Sequence, residues 1–448
     1  MKVYIKTYGC QMNERDSDAA AADLVEAGYQ ITTEEKQADV ILFNTCSVRD
    51  AAERKAKGKL GHLKKLRKNN PNLIIGVAGC MAQRLGRELI EEIPHIDFVL
   101  GTGQLHQLVS VLNEIVKEKG KFINTDFSAE IIDALQGHYE QSWSGQISIT
   151  RGCNRFCSYC IVPYVRGREM SRKPEDIVSE AKKMVGHGVR EILLLGQNVA
   201  AYGLNGDTRP PEPDHSPFAE LLEQLEEIPG LLRIRFTSPY VSYFNDRLIR
   251  TIAKSNKICH NIHLPLQSGS DRMLQAMNRQ YTNASYLAKV EELKKAMPDL
   301  TLSTDVIVGF PGETEEDFQL TRDLMNKVGF EQAFIFKYSP RPGAKSASMP
   351  DSVPEEVKEE RNQILLEDLK IRMKKYLAAL VGRELWVLAE GTSARNKERW
   401  TGRTDNNIVV HFAPVPGLQA GDMAKINITQ DNLVCLVGDI TEIKKFDK

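Results

Sequence analysis

Twice along this chain, short apolar runs that read as strands alternate with stretches of helix length, and that alternation restricts the fold to parallel sheets covered by helices. The first series predicts strands at Val3–Thr7, Val40–Asn44, Leu73–Ala78 and Phe98–Gly101. An alanine-rich helix over Asp16–Ala27, closed by Gly28, fills the first interval, and a basic helix stopped near Asn70 and Pro71 fills the second. The second series predicts strands at Gln146–Thr150, Glu191–Leu195, Arg233–Thr237, Asn261–Leu264, Thr301–Val308 and Ala333–Lys337. Six β/α units make an incomplete barrel whose working face is the set of loops after the strands. Residues 121–145 are polar, hold Gly137, Ser142 and Ser144, and read as the linker between the two series.

After a charged helix over Pro354–Leu380 the texture changes. Short strands at Glu384–Ala389, Trp400–Arg403, Asn407–Phe412, Met423–Thr429 and Leu433–Val437 suggest a small antiparallel β-barrel, a common shape for RNA-binding modules. The fold class is α/β, divided into an N-terminal parallel-sheet domain over 1–120, the linker, an incomplete (β/α)6 barrel over 146–378 and the β-barrel over 379–448.

Cysteines mark where chemistry sits on this frame. Cys153, Cys157 and Cys160 follow the first barrel strand with CxxxCxxC spacing. A cubane iron-sulfur cluster normally takes four thiolates, so a compact trio leaves one iron open for another ligand. A zinc knuckle would use CxxC pairs or close histidines, and His138 and His187 are distant. Cys10, Cys46 and Cys80 lie just beyond the first three strands of the N-terminal series. Ligands collect at the carboxyl ends of parallel strands, so these equivalent loops can deliver three thiolates to one place, a second candidate metal site. Cys259 and Cys435 fall outside both trios and read as core residues. The other barrel strands end in Gly196-Gln197-Asn198, Ser238-Pro239, Pro265 to Gly269, Gly309 to Glu313 and Tyr338 to Pro342, small and polar groups for the same rim.

Net charge is −1 and gives no argument for a nucleic-acid partner. Local charge does: residues 54–68 hold Arg54, Lys55, Lys57, Lys59, Lys64, Lys65, Arg67 and Lys68 without an acid, either a solvated helix face or a phosphate contact. Arg395, Lys397, Arg399 and Arg403 add basic side chains in the tail, and Arg166 and Arg168 fit either RNA contacts or structural ion pairs. The start reads as a strand and no 18-residue apolar segment occurs, so the expectation is a cytoplasmic protein with no membrane contact. Eight cysteines without a secretion signal favour metal ligation or free thiols over disulfides.

The CxxxCxxC trio, Tyr159 just before its last cysteine, and the six-unit β/α frame together resemble the radical S-adenosylmethionine enzymes. With Cys10, Cys46 and Cys80 upstream and the β-rich tail downstream, the chain resembles the methylthiotransferases among them from end to end. Thr7-Tyr8-Gly9-Cys10-Gln11-Met12-Asn13, Asn44-Thr45-Cys46-Ser47-Val48-Arg49, Gly196-Gln197-Asn198-Val199 and His263-Leu264-Pro265-Leu266-Gln267-Ser268-Gly269-Ser270 are each family-like. Ser-Val-Arg after Cys46 and Gln-Asn-Val after the second barrel strand point to the branch acting on N6-isopentenyl-adenosine of tRNA. Related branches act on threonylcarbamoyl-adenosine in tRNA or on a ribosomal protein.

The resemblance implies a methylthio group added at carbon 2 of the adenine at tRNA nucleotide 37, an unactivated C–H position that calls for a radical. It implies two [4Fe-4S] clusters, one on each trio, so that all six cysteines are catalytic. One S-adenosylmethionine would be the radical source at the barrel cluster and another the methyl donor, with sulfur supplied at the auxiliary cluster. Tyr159, Gln197, Ser238, Gln267, Ser268 and Val308 would contact S-adenosylmethionine, although the usual carboxylate of the second-strand turn is replaced by Gly196-Gln197-Asn198. The tail resembles a TRAM domain. The implied partners are the tRNA anticodon stem-loop, whose single-stranded bases can be unstacked, and an electron donor such as a flavodoxin or ferredoxin, the enzyme itself being a monomer. An iron-sulfur RNA-binding regulator without turnover is the reading from another class, and it would yield no 5'-deoxyadenosine with dithionite and S-adenosylmethionine.

Overall fold

The computed structural model describes residues 1–47, 50–127, 143–204 and 206–446, and in it the first series forms a single six-stranded sheet. Its strands are β1 (Lys2–Tyr8), β2 (Gln30–Ile31), β3 (Val40–Thr45), β4 (Ile74–Gly79), β5 (Phe98–Leu100) and β6 (Phe122–Asn124). They run in the order β2-β1-β3-β4-β5-β6, with every neighbouring pair parallel. Central strands covered on both faces read as continuous apolar runs, and β3 and β4 are buried along their whole length. Helix α1 (Gln11–Glu26) and the helix Leu108–Glu118 pack on one face through Ala20, Leu24, Leu108 and Leu112. Helix α2 (Asp50–Asn69) covers the other through Ala56, Leu60 and Leu63.

Two boundaries differ from the sequence expectation. Helix α1 begins at Gln11, not Asp16, because Met12 and Asn13 are already buried in its first turn. The sheet continues to Asn124, inside the stretch read as linker, because a three-residue edge strand is too short to show a period. Most of that linker, with Gly137, His138 and Ser142, lies outside the described residues, as do Val48 and Arg49.

The second series builds the open barrel. Strand β7 (Ser144–Ser148) is followed by a small antiparallel pair, β8 (Thr150–Arg151) and β9 (Met170–Ser171), which carries the cysteine loop. Then come β10 (Glu191–Leu195), β11 (Arg233–Phe236), β12 (Asn261–His263), β13 (Thr301–Val308) and β14 (Gln332–Lys337). β7, β10 and β11 form one parallel half, and β12, β13 and β14 form the other. The halves are joined at Ile234, whose N–H donates to Lys257 O at 2.7 Å and whose carbonyl accepts from Cys259 N at 3.0 Å. No ladder joins β14 to β7 among the described residues, so the barrel is open on that side.

Helix Glu355–Ala378 leads into β15 (Glu384–Thr392), β16 (Trp400–Arg403), β17 (Val409–Phe412), β18 (Met423–Asn432) and β19 (Cys435–Lys444), which close into a barrel. Leu433, read as the start of a strand, sits instead at the tip of a tight hairpin with φ +46°, and Asn432 pairs with Cys435 across it. The loop after β16 caps the amino-terminal end of the α/β barrel. Arg235 donates to Thr404 O and Asp405 O, both at 2.8 Å, and Thr301 Oγ1 donates to Asn406 O at 3.4 Å.

The N-terminal domain is clamped to the other end through buried charges. Arg15 on α1 and Arg172 both donate to Glu180, at 2.8 and 2.7 Å, with all three side chains at most 6% exposed. Arg166 pairs with Asp16 of α1 at 2.9 Å, so it is a structural contact between domains.

Candidate functional site

The auxiliary trio is positioned by strand register. Tyr8 of β1 pairs with Thr45 of β3, and Thr45 with Gly79 of β4, so Cys10, Cys46 and Cys80 leave one row within two residues of it. Adjacent strands lie about 4.8 Å apart, which brings the thiols to one edge. A buried amide network fixes the row: Asn13 Nδ2 donates to Asn44 Oδ1 at 3.0 Å, and Asn44 Nδ2 donates to Asn13 O at 2.8 Å and Ser17 Oγ at 3.0 Å. Asn13 Oδ1 also accepts from Cys10 N at 3.4 Å and Cys10 Sγ at 3.3 Å. Glycine precedes two of these cysteines for a steric reason, since a Cβ on Gly9 would strike the Asn13 side chain and one on Gly79 would strike Asn44 and the Thr45 backbone.

The barrel trio is held by residues remote in sequence. Ser158 N donates to Met277 O at 3.0 Å, Ser158 Oγ to Ala276 O at 2.8 Å, and Asn278 Nδ2 to Phe156 O at 2.9 Å. Phe156 has φ +48°, left-handed backbone that a non-glycine residue adopts only under constraint. Arg279, which motif reading did not single out, places Nη1 at 3.4 Å from Cys157 Sγ and stacks over the rings of Tyr240 and Tyr281. Its signal lies in no local spacing, 119 positions after the trio's last cysteine.

Burial pushes the Cys80 and Cys153 thiols up to about 11 and Cys160 up to about 12. Such thiols ionise only against compensating positive charge, which bound iron supplies. Burial would lower Arg166, but Asp16 and the thiols of Cys80 and Cys10 outweigh it and hold the guanidinium charged beside the auxiliary trio. Among the described residues no three Cys, His, Asp or Glu groups converge on a single metal ion.

Both trios open on one cavity of about 980 Å³. Cys10 and Cys46 reach it from the sheet, Tyr159 and Cys160 from the barrel loop, and Glu390, Arg403 and Asn407 from the tail. Arg403 is held by Glu390 at 2.7 Å and Asn407 at 3.2 Å and forms part of the cavity floor. Cys80, Cys153 and Cys157 do not line the cavity; Cys157 and Cys80 are buried, at 8% and 1% exposure, and Cys153 is half-buried.

The six expected cofactor contacts divide. Tyr159, Ser238 and Gln267 line the cavity, and Ser238 and Gln267 hold φ of +59° and +68°. Gln197 Oε1 is buried without a protein partner among the described residues, as are Asn198 Nδ2, Thr150 Oγ1 and Gln146 Oε1 nearby. Buried polar atoms are almost always satisfied, but of these four residues only Gln146, within β7, lines the cavity, and Gln197 does not. Ser268 is fully buried and its hydroxyl is engaged by Thr321 at 3.1 Å and Ser270 N at 3.2 Å, and Val308 is buried at the end of β13. Neither side chain lines the cavity. Cys259 and Cys435 are core residues at 4% and 7% exposure.

The basic helix is partly neutralised: Lys57 pairs with Glu92, Lys59 with Glu35 and Arg67 with Asp97. Lys55, Lys64, Lys65 and Lys68 stay exposed. No described helix is long and apolar enough to cross a membrane.

Residues 2–101 match the model of uncharacterized protein family UPF0004, residues 147–325 that of the radical SAM superfamily, and residues 378–441 that of the TRAM domain. The chain is 44% identical over 440 residues to a tRNA-2-methylthio-N(6)-dimethylallyladenosine synthase of Syntrophus aciditrophicus (strain SB), covering 98% of this chain and 94% of that one. It is 42% identical over 444 residues to the protein of the same description in Moorella thermoacetica, covering 98% of each. Among solved structures it resembles the radical S-adenosylmethionine methyltransferase TsrM from Kitasatospora setae, with TM-score 0.56 and 12% identity over 77% of this chain and 75% of that one. At that identity the likeness concerns the fold.

Proposed function

Because the chain belongs to the tRNA-2-methylthio-N(6)-dimethylallyladenosine synthase family, we propose that it adds a methylthio group to carbon 2 of N6-isopentenyl-adenosine at tRNA nucleotide 37. The observation that carries this reading is the shared cavity: Cys10 and Cys46 on one wall and Cys160 on another give a sulfur site and a radical site a common chamber. When bound, the two [4Fe-4S] clusters and two molecules of S-adenosylmethionine supply the one-electron, sulfur and methyl chemistry that side chains lack.

The protein's own residues bind, orient and exclude. Cys153, Cys157 and Cys160 hold one cluster, with the Arg279 guanidinium beside Cys157 offsetting thiolate charge. Cys10, Cys46 and Cys80 hold the other, with Arg166 in the same role. Tyr159, Ser238 and Gln267 orient S-adenosylmethionine from the cavity wall, and Gln197, whose buried Oε1 has no hydrogen-bond partner among the described residues, adds a polar atom after the second barrel strand. The TRAM domain, through exposed Arg395 and Lys397, and the basic helix, through Lys55, Lys64, Lys65 and Lys68, hold phosphates of the anticodon stem-loop. The enzyme works as a cytoplasmic monomer with a flavodoxin or ferredoxin as electron donor.

The test is iron content and nucleoside analysis together. Anaerobic reconstitution should give about eight irons per chain, falling to about four when Cys153, Cys157 and Cys160 become alanine. A strain lacking the protein should lose 2-methylthio-N6-isopentenyl-adenosine from its tRNA, and neither that variant nor one with Cys10, Cys46 and Cys80 replaced by alanine should restore it. Retention of the modification in the deletion strain, or cleavage of S-adenosylmethionine by the Cys153/Cys157/Cys160 variant, overturns the proposal.

A further inference from the structure

The last barrel strand carries an anomaly. Phe334 and Phe336 are 54% and 41% exposed, although Ala333 and Ile335 between and before them pack against the barrel core. Strand side chains alternate in direction, so both phenyl rings face the lumen, and both line the cavity that the cysteines share. β14 is the free edge of the barrel, so this apolar wall stands at the lateral opening. Beside it lies a polar corner: His263 is edge-on to Phe334 with ring centroids 6.0 Å apart, its Nδ1 is 2.9 Å from Ser303 Oγ, and its Nε2 is 3.3 Å from Asp305 Oδ2. Asp305 keeps 29% of its side chain open to the cavity.

Resting on the function proposed above, we propose that Phe334, Phe336 and Asp305 are the residues that select a prenylated adenine. Two phenyl rings offer a flat surface for the base and an apolar one for a branched alkyl group. The carboxylate accepts the single N–H that an N6-alkylated adenine retains. The same corner rejects the carboxylate of a threonylcarbamoyl group, because a like charge beside Asp305 is repelled where water is scarce. Of the cations that line the chamber, Arg235 is bound to Glu191, Arg403 to Glu390, and Lys337 to Glu355 and Glu359, and Arg341 lines it as well.

The experiment uses the full-length reconstituted enzyme and three anticodon stem-loops that differ only at nucleotide 37, bearing adenosine, N6-isopentenyl-adenosine or N6-threonylcarbamoyl-adenosine. The wild type should bind the prenylated loop about tenfold or more tighter than the unmodified one. Replacing both Phe334 and Phe336 by Ala should bring that ratio near one. Phe334→Leu, which keeps apolar surface but removes the flat ring, should weaken both loops by a similar factor and keep the ratio. Asp305→Asn, which retains an acceptor but not the charge, should raise affinity for the threonylcarbamoyl loop about tenfold without changing the prenyl ratio. An unchanged ratio in the double Ala variant, with iron content and thermal unfolding as in the wild type, overturns the inference; so does a threonylcarbamoyl affinity that ignores Asp305→Asn. Methylthio product from the prenylated loop is measured alongside: product with an unchanged ratio rejects the selectivity residues alone, while no product from the wild type rejects the function itself.

Discussion

The two cysteine sites reach the same chamber by opposite routes. The barrel trio is local, three thiols within eight residues, yet its loop is pinned by Met277, Asn278 and Arg279 from a distant segment. The auxiliary trio is spread over 71 residues and brought together by parallel strand register, then locked by Asn13 and Asn44 beside the thiols themselves. A local motif thus needs distant support for its conformation, whereas a dispersed one needs the sheet for its existence and only near neighbours for its finish. The first fails by losing loop shape, the second by losing register.

The largest expected effect is on whether the sites face each other at all. Glu180→Ala removes the carboxylate that the buried Arg15 and Arg172 share, and breaking such a buried pair costs about 3–5 kcal/mol. Chemical denaturation should show that loss. Iron should remain near eight per chain in the folded fraction while methylthio product falls sharply; full product formation with the pair broken would show that the clamp is not what aligns the two sites.

Asn44→Ala separates the sites more finely. It removes three buried hydrogen bonds, to Asn13 Nδ2, Asn13 O and Ser17 Oγ, at about 1 kcal/mol each, while the Asn13 amide keeps Thr45 O at 3.2 Å. Iron should drop toward four, with cleavage of S-adenosylmethionine retained at the barrel trio. Equal iron loss from both sites would break the contrast between register-built and loop-built sites.

The smallest effect is electrostatic and belongs to the barrel site alone. Burial pushes the Glu169 carboxyl from 4.5 up to about 7, with Arg155 pulling it back. Between those values the folded chain keeps a proton that the unfolded chain releases, so this group's contribution to stability is complete below pH 4.5 and is lost as pH rises through 7. For the cluster-free protein the decline should amount to at most about 3 kcal/mol. Glu169→Gln should flatten that part of the pH–stability curve, and an unaltered slope would place the titration elsewhere.

What was legible in the residues follows physical range. The cysteine spacing, the apolar runs of β3 and β4 and the alternation of the tail are short-range patterns fixed by strand and helix periods, so the domain classes, both trios and the family resemblance could be read directly. Rim residues were legible only in part. Ser238 and Gln267 do face the cavity, whereas Ser268, next in sequence to Gln267, is turned into a hydroxyl cluster with Thr321. Adjacent residues in such a loop point in different directions, and no periodicity says which.

By itself, then, the sequence determined which chemistry this protein carries, because thiolate ligation depends on residue type and close spacing. Only the tertiary structure decided where that chemistry is aimed. The clamp of Arg15 and Arg172 on Glu180, the loop from Thr404 to Asn406 that caps the barrel, Arg279 beside Cys157 and the exposed rings of Phe334 and Phe336 all join or expose residues with no fixed separation along the chain. Such contacts are selected by the shape and desolvation of packed surfaces, and they leave no repeat in the sequence to be read.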